Sequence, residues 1–509
     1  MRRLNRRQFL TLTTSSAATL LLAHCADQPQ AQVNFDAETP TPAENPSSVR
    51  SSRIVEFDLE AQPSSVTLGD RTANLFTYNG QVPGPRLEAR PGDTVRIRFT
   101  NRLSEPTNLH YHGLHIPPTG TADNIYLNIG SGQTFDYEFT LPTDHPAGTF
   151  FYHPHLHGRV ADQVFRGLGG IFVVRGALDE IPEVKAAQEE FVFLKDFEVD
   201  SNGQVPNANP MQVMQGREGS IVTVNGKENP TFSLPTGGLL RLRMVNASTS
   251  RFYRLTLENH PLHLIATDAG AIAAPVELQE ILLSPGERAE VLVQGNQPAG
   301  GYRLLNLPYD RGMMGMMGQR GMGGMGGMRG MGRMGGMSGN TAQTTPQVLA
   351  TIQYSGSTTP LSLPQQLLPI ADLPQPATAR RIELSMGMSG MGRGRSGMGR
   401  AFLLNGKSYD HDRLDTTVRL DTVEEWEIAN TGPMAMDHPF HLHVNPFQVI
   451  SRNGQPEPYA AWKDTVLVRA NETVRIRVPF RNYPGKTVYH CHILDHEDQG
   501  MMATIAMQA

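Results

Sequence analysis

One pattern recurs three times along this chain, and it restricts the fold more than any other feature. The first copy runs Tyr78-Asn79-Gly80 and then Val95-Arg96-Ile97-Arg98-Phe99-Thr100-Asn101. The second runs Val224-Asn225-Gly226 and then Leu240-Arg241-Leu242-Arg243-Met244-Val245-Asn246. The third runs Leu404-Asn405-Gly406 and then Glu425-Trp426-Glu427-Ile428-Ala429-Asn430. Asn-Gly is a strong turn signal because both residues tolerate positive φ. A run with apolar residues at alternate positions then ends at a second Asn, 21 to 25 positions after the first. Period-two alternation gives a strand with one buried and one wetted face. With 50 Gly and 37 Pro to punctuate it, the chain is expected to be all-β, with Greek-key β-sandwich or small-barrel domains in tandem. At 509 residues it is too long for a single core.

A histidine-bearing segment follows the second Asn in each copy: Leu109-His110-Tyr111-His112, His260-Pro261-Leu262-His263 and His438-Pro439-Phe440-His441-Leu442-His443. A matching segment closes each copy: Tyr152-His153-Pro154-His155, Gly300-Gly301-Tyr302-Arg303 and Tyr489-His490-Cys491-His492. Copies one and three keep paired histidines at both places, and copy two does not, so the middle domain reads as a spacer. Stretches 176–190 (charged) and 355–379 (Ser, Thr, Pro and Gln-rich) separate the copies, placing the domains at 53–175, 190–355 and 379–509.

In a strand, His at i and i+2 project from one face. The pairs 110/112, 153/155, 441/443 and 490/492 therefore present eight imidazoles from four strands, which implies a metal cluster between the first and third domains. Cys491 points the other way from its flanking histidines. With His496 five residues on and Met501 ten residues on, it forms a Cys-X4-His-X4-Met run, and His438 remains to complete a second site. Two His, one Cys and a weak axial Met are the ligands of a blue-copper centre. A buried, inert cysteine is the plainer reading of Cys491, and structural zinc the plainer reading of the histidines. Structural zinc needs closed four-coordinate sets, usually with several Cys, and this chain has two Cys in all.

These motifs make residues 50–509 resemble the three-domain multicopper oxidases, the family of laccases, ascorbate oxidases and bacterial cuprous oxidases. The resemblance implies three cupredoxin-like domains and four copper ions, one type 1, one type 2 and two type 3. It assigns His438, Cys491, His496 and Met501 to type 1, and His110 and His441 to type 2. His112, His153 and His492 fall to one type 3 copper, and His155, His443 and His490 to the other. It further implies electron transfer from a donor through Cys491 to the cluster, reduction of O2 to water there, and proton relay by Glu497 and Asp123. His157 matches a position that is not a ligand. His115 and His145 are expected to hydrogen-bond locally, and Trp426 and Trp462 to lie in the core.

Two tracts interrupt the strand pattern. Residues 312–337 hold ten Met among Gly and Arg, and 386–398 hold four more, of 23 in the chain. Such compositions build no core and predict mobile loops. Thioethers select Cu(I), and the resemblance extends to cuprous oxidases with Met-rich insertions near type 1 copper. The expected donors are therefore Cu(I), phenols or both, in a copper-tolerance role. The alternatives are an ordinary laccase acting on phenols and a non-catalytic copper store.

The N-terminus predicts export. Asn5-Arg6-Arg7-Gln8-Phe9-Leu10 matches a twin-arginine signal, and the apolar run after it is short and polar for a membrane span. Residues 1–25 are read as the signal and 26–52 as a flexible tether, which places the protein in the periplasm. Cys25, in a degenerate lipoprotein box, is a candidate lipid anchor. A net charge of −5 gives no case for nucleic acid, and a monomer is expected.

Overall fold

A computed structural model describes residues 53–311, 345–388, 400–432 and 436–509. The signal, the tether, Cys25, the first methionine tract and most of the second lie outside the described residues. Among the described residues, no helix is long and apolar enough to cross a membrane.

The threefold sequence pattern becomes a threefold topology. In each domain one sheet is built on a parallel pair: Ile54–Leu68 beside Thr94–Asn101, Gln188–Phe197 beside Leu239–Asn246, and Thr378–Met388 beside Thr422–Asn430. The alternating strand of each pair is flanked antiparallel by Thr134–Thr140, Arg288–Gln294 and Glu472–Phe480 respectively. The second sheet repeats as well. Gly148–His153 lies between Gly170–Val174 and His110–His112, as Gly485–Cys491 lies between Met502–Gln508 and His438–Leu442. Three separate apolar cores result, one per pair of sheets.

The repeated asparagines explain why the pattern recurs. Asn79, Asn225 and Asn405 each sit at positive φ (55°, 55° and 51°) before a glycine also at positive φ, the geometry of a tight hairpin turn. Each side chain also accepts a hydrogen bond from a backbone N–H of a neighbouring strand, that of Glu60, Phe193 or Glu383. The second asparagines, Asn101, Asn246 and Asn430, are buried. Each side-chain amide donates to one backbone carbonyl of the loop that leads toward the next strand (Glu105, Arg251 or Met436) and to one or two of a distant segment (Ile129, Leu283, or Val468 and Arg469). A buried Asn that ties the following loop to a distant segment fixes where that loop delivers the histidine strand.

Two expectations change. Met386 and Met388, read as part of an interrupting tract, lie on the strand Thr378–Met388, where Met386 pairs with Phe402; a flanking partner strand overrides the local composition. The stretch 176–190 is also more ordered than its composition suggests, with a short turn of helix at Ala177–Glu180 and another at Pro182–Ala186. Trp426 is fully buried in the third core, whereas Trp462 is half-buried beside the middle domain, its carbonyl accepting from Thr267 Oγ1.

Candidate metal centre

Strand pairing places the histidines. His110 is directly opposite His153 in the first domain, and His441 directly opposite His490 in the third. Across the interface the rings stack: His112 on His441 with centroids 3.8 Å apart, and His110 on His443 at 4.0 Å. All eight paired histidines are buried. Phe440 is opposite Cys491, so the core face of the same two strands carries His438, two residues before Phe440. One strand pair thus supports two sites, one on each face.

The ring nitrogens show which donor atoms are held and which are free. His110 Nδ1 bonds Asp123, His153 Nδ1 the Pro154 carbonyl, His441 Nδ1 the Asp464 carbonyl, and His490 Nδ1 the Cys491 carbonyl, at 2.9 Å each. That leaves Nε2 of His110, His153 and His441 buried with no hydrogen-bond partner. His112 is reversed: its Nε2 bonds Asp464 Oδ1 at 2.9 Å, and its Nδ1 is without a partner. Both nitrogens of His492 are in the same position. His155, His443 and His490 bring Nε2 atoms together, 3.2 Å and 3.1 Å from His490. Buried polar atoms are nearly always satisfied, and imidazoles such as His110, His112, His153 and His441, tied by one nitrogen and unsatisfied on the other, are the arrangement of a metal shell.

For seven of these rings burial favours the neutral form, with a lone pair available. It pushes His110, His112, His155, His443, His490 and His492 well below the usual imidazole range, and His153 to about 3. Proximity of donor atoms sets off His155, His443 and His490 as a triad, the grouping that the resemblance implies. It does not divide the remainder as implied. His110 groups with His112 and His153 as well as with His441 and His443, while His492 approaches His112 through its ring, centroids 4.9 Å apart.

In the second site His438 Nδ1 is 3.4 Å and His496 Nδ1 3.8 Å from Cys491 Sγ. Met501 is fully buried; its carbonyl accepts from Cys491 N at 3.0 Å and its N–H donates to the His496 carbonyl at 2.9 Å. Burial pushes the Cys491 thiol well up, so a thiolate there requires a compensating cation. The donor set fits copper in both sites: soft sulfur with two imidazoles in one, imidazoles alone in the other.

Both expected acids are in contact with the cluster. Asp123 is buried against His110, and burial pushes its carboxyl up to about 8. Glu497 has Oε2 3.1 Å from His490 Nδ1 and Oε1 3.5 Å from His155 Nε2, and burial raises it well above the usual range. His490 Nδ1 donates to the Cys491 carbonyl, and both Glu497 carboxyl oxygens are buried without a hydrogen-bond partner. His157 is exposed; His145 bonds locally, to the Pro146 carbonyl and the His115 backbone N–H, whereas the His115 ring reaches the Val444 carbonyl, 329 positions away, instead of a local partner.

Several contributors were not legible in the sequence. Asp464 orients His112; burial favours its protonation, but Arg288 and His112 outweigh this and hold the carboxyl well below the usual range. The middle domain, read as a spacer, supplies three elements. The Met214 carbonyl bonds His496 Nε2 at 3.2 Å, Gly286 packs on the His492 ring, and Arg288 pairs with Asp464. A lone acid such as Asp464 between a lysine and a strand looks like any turn residue until its distant partners are in place.

Three tandem sandwiches, with facing imidazoles from the outer two and a cysteine-centred site in the third, define a three-domain cupredoxin-like protein. Residues 60–178, 190–316 and 378–509 each match a family described as multicopper oxidase. The chain belongs to the multicopper oxidase family. It is similar to the structure of a multicopper oxidase from Campylobacter jejuni, described as a metallo-oxidase. The identity is 32%, the TM-score 0.76, and the coverage 90% of this chain and 93% of that one. It is 27% identical to the multicopper oxidase mco of Staphylococcus haemolyticus over 85% of this chain and 84% of the relative. It is also 30% identical to the cell division protein FtsP of Xenorhabdus nematophila, over 86% of each.

Proposed function

We propose that this chain oxidises a one-electron donor at the Cys491 site and reduces O2 to water at the histidine cluster, with Cu(I) as its principal donor. Bound copper, one ion at the cysteine site and three in the cluster, would supply the four one-electron steps that O2 reduction requires. The observation that carries the reading is the placement of Cys491 between His490 and His492. The thiolate faces one site, its two neighbours face the other, and only a short covalent path separates them.

The remaining roles belong to the protein. His438, Cys491, His496 and Met501 would hold one ion, and His110, His112, His153, His155, His441, His443, His490 and His492 the other three. Asp123 and Glu497, each buried beside a cluster imidazole, hold protons close to where O2 would be reduced. Exclusion of water around these carboxyls keeps the protons in place until they are needed.

Cu(I) is favoured by how the methionine tracts are rooted. The carbonyl of Arg311, the last described residue before the first tract, accepts from Asp437 N at 3.3 Å, one residue before His438. Phe402, on the strand after the second tract, stacks on His496 with centroids 4.2 Å apart. His496 itself is fully buried beneath the Met214 carbonyl, which disfavours direct contact with a bulky phenol. A copper-tolerance role in the periplasm, after twin-arginine export, follows from this donor and from residues 1–25. The relative named for cell division shows that the fold is not tied to one cellular role; the complete donor set of this chain favours catalysis.

Oxygen uptake by the copper-loaded protein, measured side by side with Cu(I) and with a phenol, tests the proposal. Uptake is expected with both and faster with Cu(I). No uptake with either donor rejects the oxidase reading in favour of a copper-binding protein.

A further inference from the structure

The middle domain contributes no imidazole to the cluster, yet one of its side chains stands directly behind it. Arg288, at the start of the strand Arg288–Gln294, is buried to 1% exposure. All five of its guanidinium N–H groups are used. Nε donates to the Thr149 carbonyl at 3.2 Å. Nη1 donates to the Gly286 carbonyl at 2.9 Å and to Asp464 Oδ1 at 2.7 Å. Nη2 donates to the Asp268 carbonyl at 2.7 Å and to Asp464 Oδ2. A planar guanidinium saturated in this way has one orientation open to it.

Its partners come from all three domains, and two of them, Gly286 and Asp464, touch a cluster histidine. Thr149 is on the strand Gly148–His153, which ends in a cluster histidine. Gly286 packs against the His492 ring, where an added Cβ would lie 3.0 Å from the ring carbons. Asp464 accepts from His112 Nε2 at 2.9 Å and from Thr465 Oγ1 at 2.9 Å. Lys463 braces the same corner through Asp268 at 2.9 Å and Glu287 at 3.1 Å.

We propose that Arg288 is a positioning residue for the cluster. By clamping Asp464 it keeps His112 protonated on Nε2, so that Nδ1 is the nitrogen presented to the metal, and it makes the ligand-free middle domain part of the metal site. The inference rests on the ligand role of His112 proposed above. A buried arginine at a domain seam can also serve only to hold domains together, and the structure offers a control for that. Arg243 is fully buried at the seam between the first and middle domains. It bonds Thr149 Oγ1 at 3.2 Å and Glu290 at 2.8 Å, without contact to a cluster imidazole or to Asp464.

The test compares full-length, copper-loaded wild type with Arg288→Leu, Arg288→Lys and Arg243→Leu. It measures copper per chain, affinity against a competing chelator, the blue absorption of the cysteine site, the paramagnetic resonance of the cluster, and the melting temperature. Arg288→Leu should keep the blue absorption but bind cluster copper about 10- to 100-fold more weakly, with a changed cluster signal. Arg288→Lys, which keeps the charge but not the fork, should recover part of the loss. Arg243→Leu should lower the melting temperature and leave copper content and cluster signal as in wild type. Wild-type copper affinity and cluster signal in Arg288→Leu overturn the proposal, as does an equal copper loss in Arg243→Leu. Should the leucine variant not fold, a lysine variant indistinguishable from wild type overturns it. A wild type that binds no copper rejects instead the ligand assignment beneath it.

Discussion

His155 Nε2 and His490 Nε2 stand 3.2 Å apart although the residues are 335 positions apart in the chain. Burial keeps both rings neutral, and His443 Nε2 approaches the same His490 nitrogen at 3.1 Å. His490 Nδ1 donates to the Cys491 carbonyl, so its Nε2 has a single lone pair to offer two facing rings, and one of the two contacts stays unsatisfied in a dry gap. A cation at their centre removes that conflict, and the first and third domains meet in the way that creates it.

Cys491→Ser should abolish the blue absorption and donor oxidation while leaving the cluster copper bound. The thiol is the one soft anionic donor of its site, and serine does not replace it. Optical spectra and metal analysis of the purified variant check this; retained blue colour refutes the assignment.

Glu497→Gln should slow O2 reduction by about 100-fold, the range expected for loss of a positioned proton donor. Electron entry at Cys491 should be unaffected. Stopped-flow reoxidation of the reduced protein separates the two steps, and an unchanged reoxidation rate excludes the proton role.

Gly286→Ala should weaken cluster copper by about 10-fold with the cysteine site intact. The residue is at φ +87°, where an L side chain is strained, and its new Cβ would meet the His492 ring at 3.0 Å. Copper titration with blue absorption as the internal reference reads the effect.

Acid should destabilise the fold through His115 and His145. Burial lowers both to about 4 in the folded state, against an ordinary value of 6.5. Between those values the unfolded chain binds more protons, so stability rises with pH across this window and is lost as pH falls from 6.5 toward 4. The loss is on the order of 3 kcal/mol per histidine at the acid end. Urea unfolding of the apo-protein at several pH values should show the slope, and replacing both histidines with glutamine should flatten it.

Deleting residues 313–337 together with 390–398 should lower the rate with Cu(I) and raise it with phenols, as thioethers are lost and access widens. Cuprous oxidation untouched by the deletion would sink the donor assignment.

The strands, the tandem domains and the ligand types were legible because they are local properties. Alternation set which residues share a face, so His441 and His443 separate from His438 without knowledge of the tertiary fold. The Asn-Gly turns and the buried second asparagines announced themselves three times over. Which nitrogen of each ring faces the cluster was not legible. His110 is turned by Asp123, 13 residues away, but His112 is turned by Asp464, 352 residues away, and the two outcomes are opposite. The contribution of the middle domain was hidden for the same reason. The Met214 carbonyl, Gly286 and Arg288 gain their roles only when packing sets them against His496, His492 and Asp464. Sequence alone determined the candidate ligand residues and their pairing on strands, because residue type is given directly and strand alternation sets which residues share a face. The tertiary structure decided how those donors are aimed, because aiming an imidazole takes a hydrogen-bond partner, and in this chain several of those partners come from another domain.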